Sequence, residues 1–198
     1  PYNKYLSRGP RNRLSAEMVR DQALFLSGLL NEELYGPPVR PYQPDGIWNS
    51  PYNSEKWEES EGENRYRRAI YTMIKRTAIY PSLETFDMAS RQVCDSRRIN
   101  SNTPLQALVT LNDPVYIEIS HQIGKLLKEE GNSLASGISS VYEKAMNMEM
   151  PEAKLSVLLE LYEETLIEAD KKGSLESEEI ALMAVGNAMI NLDDLLNK

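Results

Sequence analysis

Apolar residues recur at helical spacing over most of the chain. Leu14, Met18, Gln22, Phe25 and Leu29 share one stripe, flanked by Val19, Leu26 and Leu30. Ser15 precedes them as a good N-cap, with Glu17 and Asp21 near the positive helix end, so a first helix is predicted over 16–30. Tyr66, Ile70, Met73, Ile74 and Thr77 line one face of a second predicted helix over 64–77, whose other faces carry Arg65, Arg67, Arg68, Lys75 and Arg76. Pro81 closes the link that follows, and 82–94 reads as irregular chain with one short helical turn near 83–86. Thr103-Pro104 and Asp113-Pro114 use one device twice, a capping residue followed by Pro at the first helical position. Helices are therefore predicted from 104 and from 114. The second places Val115, Ile119, Ile123 and Leu126 inward and stops at Gly131. Three further amphipathic segments follow over about 137–147, 151–171 and 177–197. No strand pattern and no internal repeat emerges. The fold class expected is all-α, an irregular bundle of six to seven helices forming a single domain over 1–198.

The periodicity collapses between 36 and 63. Gly36 to Gly46 reads Gly-Pro-Pro-Val-Arg-Pro-Tyr-Gln-Pro-Asp-Gly, too rich in Pro for a helix or a central strand. A long ordered loop is expected there, because it carries Tyr42, Trp48, Tyr52 and Trp57, an aromatic load that a solvated linker has no use for. Trp, Tyr and Arg populate interface centres, which makes Tyr42, Trp48 and Trp57 candidate docking residues for a neighbouring domain. Packing on the chain's own helices is the equal alternative, and stacking on a sugar ring a third. The loops at 36–63 and 78–102 are expected to pack together at one end.

Charge sharpens this picture. Residues 1–106 carry 15 Lys and Arg against 13 Asp and Glu, and 107–198 carry 7 against 17, matching the chain totals of 22 and 30. Every Arg lies at or before Arg98. Arg suits planar, partly buried recognition and Lys a solvated surface, so polar specificity is expected in the first half and acidic helix surface in the second. The net charge of −8 argues against non-specific nucleic-acid binding. No apolar run reaches the length of a membrane span. One cysteine, Cys94, excludes an intrachain disulfide, and with a single histidine, His121, no metal site is expected. Cys94 is expected to be a small buried hydrophobe and His121 a solvated or capped residue. The chain opens on Pro1 without a leader-like segment and reads as a fragment of a larger multidomain protein.

The densest chemistry lies in Ser90-Arg-Gln-Val-Cys-Asp-Ser-Arg-Arg-Ile-Asn-Ser-Asn-Thr-Pro-Leu-Gln. Asp87, Arg91, Asp95, Arg97, Arg98, Asn102 and Gln106 each make directed hydrogen bonds that a solvated loop does not need and a core cannot leave unpaired. Two main readings follow: a structural knot that locks irregular chain between helices, or an anion or sugar site built from Arg forks. A domain-docking surface is the third. No catalytic residue is assigned, since carboxylates such as Glu84, Asp87 and Asp95 pair by chance in any chain this acidic.

Three segments carry a resemblance: Tyr66-Arg-Arg-Ala-Ile-Tyr-Thr-Met-Ile-Lys-Arg-Thr, Phe86-Asp-Met-Ala-Ser-Arg-Gln-Val-Cys-Asp-Ser-Arg-Arg, and Asn102-Thr-Pro-Leu-Gln-Ala-Leu-Val-Thr-Leu-Asn-Asp-Pro. The match extends to Asn12-Arg-Leu-Ser-Ala-Glu-Met-Val-Arg-Asp, Val39-Arg-Pro-Tyr-Gln-Pro-Asp-Gly-Ile-Trp and Asn191-Leu-Asp-Asp-Leu-Leu, and is weakest over 131–180. In these motifs the chain resembles the C-terminal domain of unknown function of planctomycete-type secreted cytochrome c proteins. The resemblance implies export to the periplasm or cell envelope, upstream domains on the same polypeptide, and haem in an upstream Cys-x-x-Cys-His segment; some such proteins also carry a lectin-like module. This chain contains no Cys-x-x-Cys-His, so no cofactor is expected within it. The function expected is an interaction or scaffold domain whose partners are those upstream domains. The rival is part of a hydrolytic enzyme or binding module acting on anionic or polysaccharide substrate, a carbohydrate partner, through 87–106.

Overall fold

Ser15 caps the first helix, α1 (Ala16–Leu26), by accepting the Met18 N–H at 3.4 Å. The helix is a turn shorter than its apolar stripe. Gly28 takes a left-handed φ of +72°, and the Leu29 and Leu30 amides fold back onto the Leu24 carbonyl. In this computed structural model, residues 5, 12–49, 56–94 and 96–197 are described. Among them are α2 (Pro81–Thr85), α3 (Pro104–Asn112), α4 (Pro114–Glu129), α5 (Leu134–Met146), α6 (Glu152–Lys171), α7 (Ser177–Ile190) and α8 (Asp193–Leu196). There is no strand among the described residues, only isolated bridges, so the fold is all-α. Asp113 ends α3 and caps α4 at the same time, its carboxylate accepting the Val115 N–H at 2.9 Å.

The helix predicted over 64–77 is absent. That stretch forms two short 3-10 turns, Gly62–Tyr66 and Ala69–Tyr71, followed by extended chain. Its backbone groups are claimed from elsewhere. Asn31 and Val39 donate to the Tyr66 and Tyr71 carbonyls, Met73 donates to the Val39 carbonyl, and the Ala69 N–H goes to the Asp21 carboxylate at 2.6 Å. The Pro-rich segment cannot satisfy its own polar groups, and pairing both segments costs less than leaving either unmet. Tertiary pairing overrides a periodicity that was legible but misleading.

Two cores result, with α1 between them. Ala23, Leu24 and Leu26 face a large core built from α4, α5 and α7 around Ile119, Ile123, Leu127, Ile138 and Val185. Ala16 and Val19 face a smaller one around Ala69, Tyr80, Leu83 and Phe86. The close approach of α7 to α4 rests on Gly186. A Cβ there would lie 2.6 Å from the Ser120 carbonyl oxygen. This tight crossing fixes the positions from which α3 and α6 flank α7.

The long loop is mortared by Arg67. Its guanidinium, 2% exposed, donates to the Glu33 carbonyl at 3.1 Å, the Pro37 carbonyl at 3.2 Å and the Tyr35 carbonyl, and lies 4.0 Å over the Tyr71 ring. One buried fork thus replaces the regular hydrogen bonding that Pro37, Pro38 and Pro41 deny this segment. The two loops meet through Tyr80, whose hydroxyl donates to the Tyr42 carbonyl at 2.7 Å and whose ring stacks with Trp57.

Candidate functional site

Helix α3 is turned inside out. Its sequence, Pro-Leu-Gln-Ala-Leu-Val-Thr-Leu-Asn, carries no charge, yet its buried positions are Gln106 and Thr110. Leu105, Leu108 and Leu111 stand 62%, 55% and 52% exposed. The spacing of three puts them along one outward ridge.

The inward polar face is bonded throughout. Gln106 Nε2 donates to the Thr85 carbonyl at 3.1 Å and lies 3.3 Å from both the Asp87 carboxylate and the Ser101 hydroxyl; its Oε1 accepts from Arg13. Farther along, Asn187 Nδ2 donates to the Thr110 carbonyl at 2.9 Å and to the Ser120 hydroxyl at 3.0 Å. The Thr110 hydroxyl reaches Asn191 Oδ1, and Asn191 Nδ2 donates to the Asn187 carbonyl at 2.8 Å. A buried amide or hydroxyl left unpaired costs roughly 1–3 kcal/mol, so this seam sets the register of α3 against α4 and α7.

Between the α3 ridge and α7 lies an open groove of about 610 Å³. Its walls are apolar, with Leu111 on α3, Ile117 on α4, Leu161 on α6, and Met183, Ala184 and Ala188 on α7. Its floor is the polar seam, through Gln106, Asn187 and Asn191, and Arg13 and Asn102 stand at one end.

The sequence-derived polar residues are distributed, not convergent. The Asp87 carboxylate accepts the Ser101 N–H at 2.7 Å and the Ser101 hydroxyl at 2.8 Å, next to Gln106. Arg98 reaches across to α1 and holds Glu17 through two hydrogen bonds of 2.6 and 2.9 Å. That pairing keeps the Glu17 carboxyl below its ordinary value, against the opposing effect of burial. Arg91 and Arg97 are exposed, and Asn102 is exposed at the groove. Asp95 lies outside the described residues. Asn102 and Gln106 line the groove; Asp87, Arg97 and Arg98 do not.

Cys94 is exposed, not buried as expected. The loop that carries it makes bonds through Asp87 and Arg98, and the apolar side chains of Val93 and Ile99 stand outside as well. His121 is partly exposed, with Nε2 3.6 Å from a Glu179 carboxylate oxygen. Among the described residues no group of three or more His, Cys, Asp or Glu is placed to hold a metal ion. Among the described residues no helix is long and apolar enough to cross a membrane.

The aromatic loop faces the chain's own fold. Trp48 is 4% exposed, with its ring centroid 4.9 Å from that of Trp57 and the Lys75 ammonium 4.6 Å above it. Trp57 Nε1 donates to the Pro41 carbonyl at 2.9 Å. Tyr42 is half-buried and lines a cavity of about 270 Å³ beside Tyr66, whose hydroxyl donates to Glu118 at 2.5 Å. Tyr52 lies outside the described residues.

Several residues that organise this architecture do not stand out in the sequence. Arg20 is 1% exposed inside α1, donating to the Arg65 carbonyl at 3.0 Å with its guanidinium 5.9 Å from the Tyr80 ring. Burial raises the Asp21 and Asp113 carboxyls above their ordinary values, and the positive charge of Arg20 partly offsets this. Arg20 was legible in principle, since it sits at i+4 from Ala16 and i−4 from Leu24 on the stripe that is buried. Asn187 and Asn191, one turn apart in the otherwise apolar run 180–192, were a similar signal.

Residues 1–162 match the model of a family described as PSD1, protein of unknown function (DUF1553). No curated protein and no solved structure matches the sequence.

Proposed function

Because the chain belongs to this PSD1 family of unknown function, we propose that it is a helical interaction domain that positions its neighbours within a larger exported, haem-associated envelope polypeptide. The observation that carries this reading is α3, an uncharged helix with three leucines more than half exposed beside an apolar groove. Contiguous exposed apolar surface of this kind marks interaction sites in soluble domains. The docking residues are thus Leu105, Leu108 and Leu111, with Trp48 and Trp57 serving to hold the loop in place. The export and haem context rests on the motif resemblance of the segments around Tyr66, Phe86 and Asn102. The chain's own residues do not fit haem attachment: Cys94 lies in an exposed loop, His121 sits on α4 against Glu179, and no Cys-x-x-Cys-His links them. On this reading, haem is carried by another domain of the polypeptide.

The test compares amide exchange in α3 between this chain alone and the full polypeptide from its native host, with a photocrosslinker at position 108. Slowed exchange and a crosslink to a residue outside this domain are expected. Unchanged exchange together with no interdomain crosslink would remove the reading.

A further inference from the structure

The groove has a chemistry of its own beyond its apolarity. Its walls are aliphatic and uncharged, and its margins carry acids. Leu161 is followed on the same edge of α6 by Glu164 and Glu168, one and two turns on, and preceded by Val157, 60% exposed one turn earlier. Asp193 also lines the groove, near Arg13, with its carboxylate accepting from the Asn197 amide. At another margin Glu179 stands one turn before Met183 and contacts His121, which lies one turn beyond Ile117. Of the basic groups nearby, Arg13 bonds Gln106, Lys154 pairs with Asp194, and the exposed Lys172 lies 4.0 Å from Glu168, a solvated pair that leaves Glu164 without a neighbouring base on that edge. Helix α3, nine residues long, spans about 13 Å at the α-helical rise, which suits about two and a half turns of a second helix laid alongside.

We propose that the groove between α3, α6 and α7 receives an amphipathic helix whose apolar stripe packs on Leu111, Leu161, Met183 and Ala184 and whose flanks carry Lys or Arg facing Glu164 and Glu168. The proposal rests on the interaction-domain reading and names the partner's chemistry. Apolar packing supplies the affinity, and the acidic margin selects sign and orientation. A helix with acidic flanks meets like charge along α6 and at Glu179.

The test is a fluorescence-anisotropy titration of the whole chain with two labelled synthetic helices of about 14 residues. They share one Leu stripe and differ only in Lys or Glu flanks. The Lys-flanked helix is expected to bind about tenfold or more tighter, with affinity falling several-fold as salt rises from about 0.05 to 0.3 M. Ala107→Arg, at an exposed position in the groove, is expected to weaken it about tenfold, and Glu164→Gln with Glu168→Gln to narrow the preference between the two helices. Equal binding of both helices, binding of neither, or binding indifferent to Ala107→Arg and to salt overturns the proposal. The salt series on the unaltered chain decides the matter even if a variant misfolds. A concentration-dependent dimer that Ala107→Arg dissociates would assign the groove to a second copy and likewise overturn it. If α3 is protected in the full polypeptide while neither helix binds, this inference falls and the interaction-domain reading stands. If α3 stays open there while the Lys-flanked helix binds, the reverse holds.

Discussion

The crossing of α7 over α4 offers the sharpest test of the packing, through Gly186→Ala. The added methyl would sit 2.6 Å from the Ser120 carbonyl oxygen and 3.2 Å from Ile123 Cβ and Cγ2. Carbon-to-oxygen contacts between helices settle at about 3.3 Å or more, so α7 must retreat by about 0.7 Å or α4 must bend. The obstruction is helix backbone, not the end of a flexible side chain, which places the cost in the upper part of the roughly 1–3 kcal/mol range for overpacking. Replacing Gly by Ala inside a helix returns about 1 kcal/mol of propensity. The net expectation is a loss of about 1–2 kcal/mol, read as a Tm lower by about 3–6 °C for a chain of this size. Thermal unfolding followed by circular dichroism measures it, with urea unfolding to confirm that m is unchanged. Gly137→Ala should cost more, because its Cβ would fall only 2.0 Å from the Leu127 carbonyl oxygen. The decisive feature is the sign. Without the close approach only the propensity gain remains, so a Gly186→Ala protein as stable as the original, or more so, would refute the argument for this crossing.

Arg67→Met should destabilise by about 2–4 kcal/mol in urea, since three loop carbonyls lose their donor, and Arg67→Lys should recover little because an ammonium cannot reproduce the planar fork. The Glu17–Arg98 pair should be visible in the pH dependence of stability. The folded carboxyl lies below its ordinary value, so its contribution is complete above that value and fades as pH falls through it. The stability gap between the original protein and Arg98→Ala should therefore shrink between about pH 5 and pH 3, and a gap constant over that window would show that the pair contributes nothing. Cys94 should react with a thiol reagent in the native protein nearly as fast as in urea, and strong native protection would contradict its exposed placement.

The α3 ridge shows why docking surfaces are hard to read from spacing alone. Leu105, Leu108 and Leu111 share a helical stripe that in most domains faces the core, and Gln106 and Thr110 look like its solvent side. The structure reverses the helix because Asp113 commits the chain to start α4 at once, and because Asn187, Asn191, Ser120 and Asp87 offer partners only a polar face can use. The Trp residues left two equal readings in the sequence, docking on a neighbour or packing on the chain's own fold, and Trp48 and Trp57 pack on each other and on Tyr80.

Local physics was enough for much of this protein. Capping residues and Pro placed the starts of α1, α3 and α4 to the residue, and apolar periodicity identified the long helices α4, α6 and α7, because each signal acts within one or two turns of chain. Composition likewise excluded a disulfide within these 198 residues. Tertiary structure alone decided that 64–77 would abandon its helix to satisfy a Pro-rich segment, that Arg20 and Arg67 would be buried as internal donors, and that the leucines of α3 would face outward. Those outcomes depend on which polar groups find partners across distant segments, and unpaired polar groups cost more than helix propensity returns.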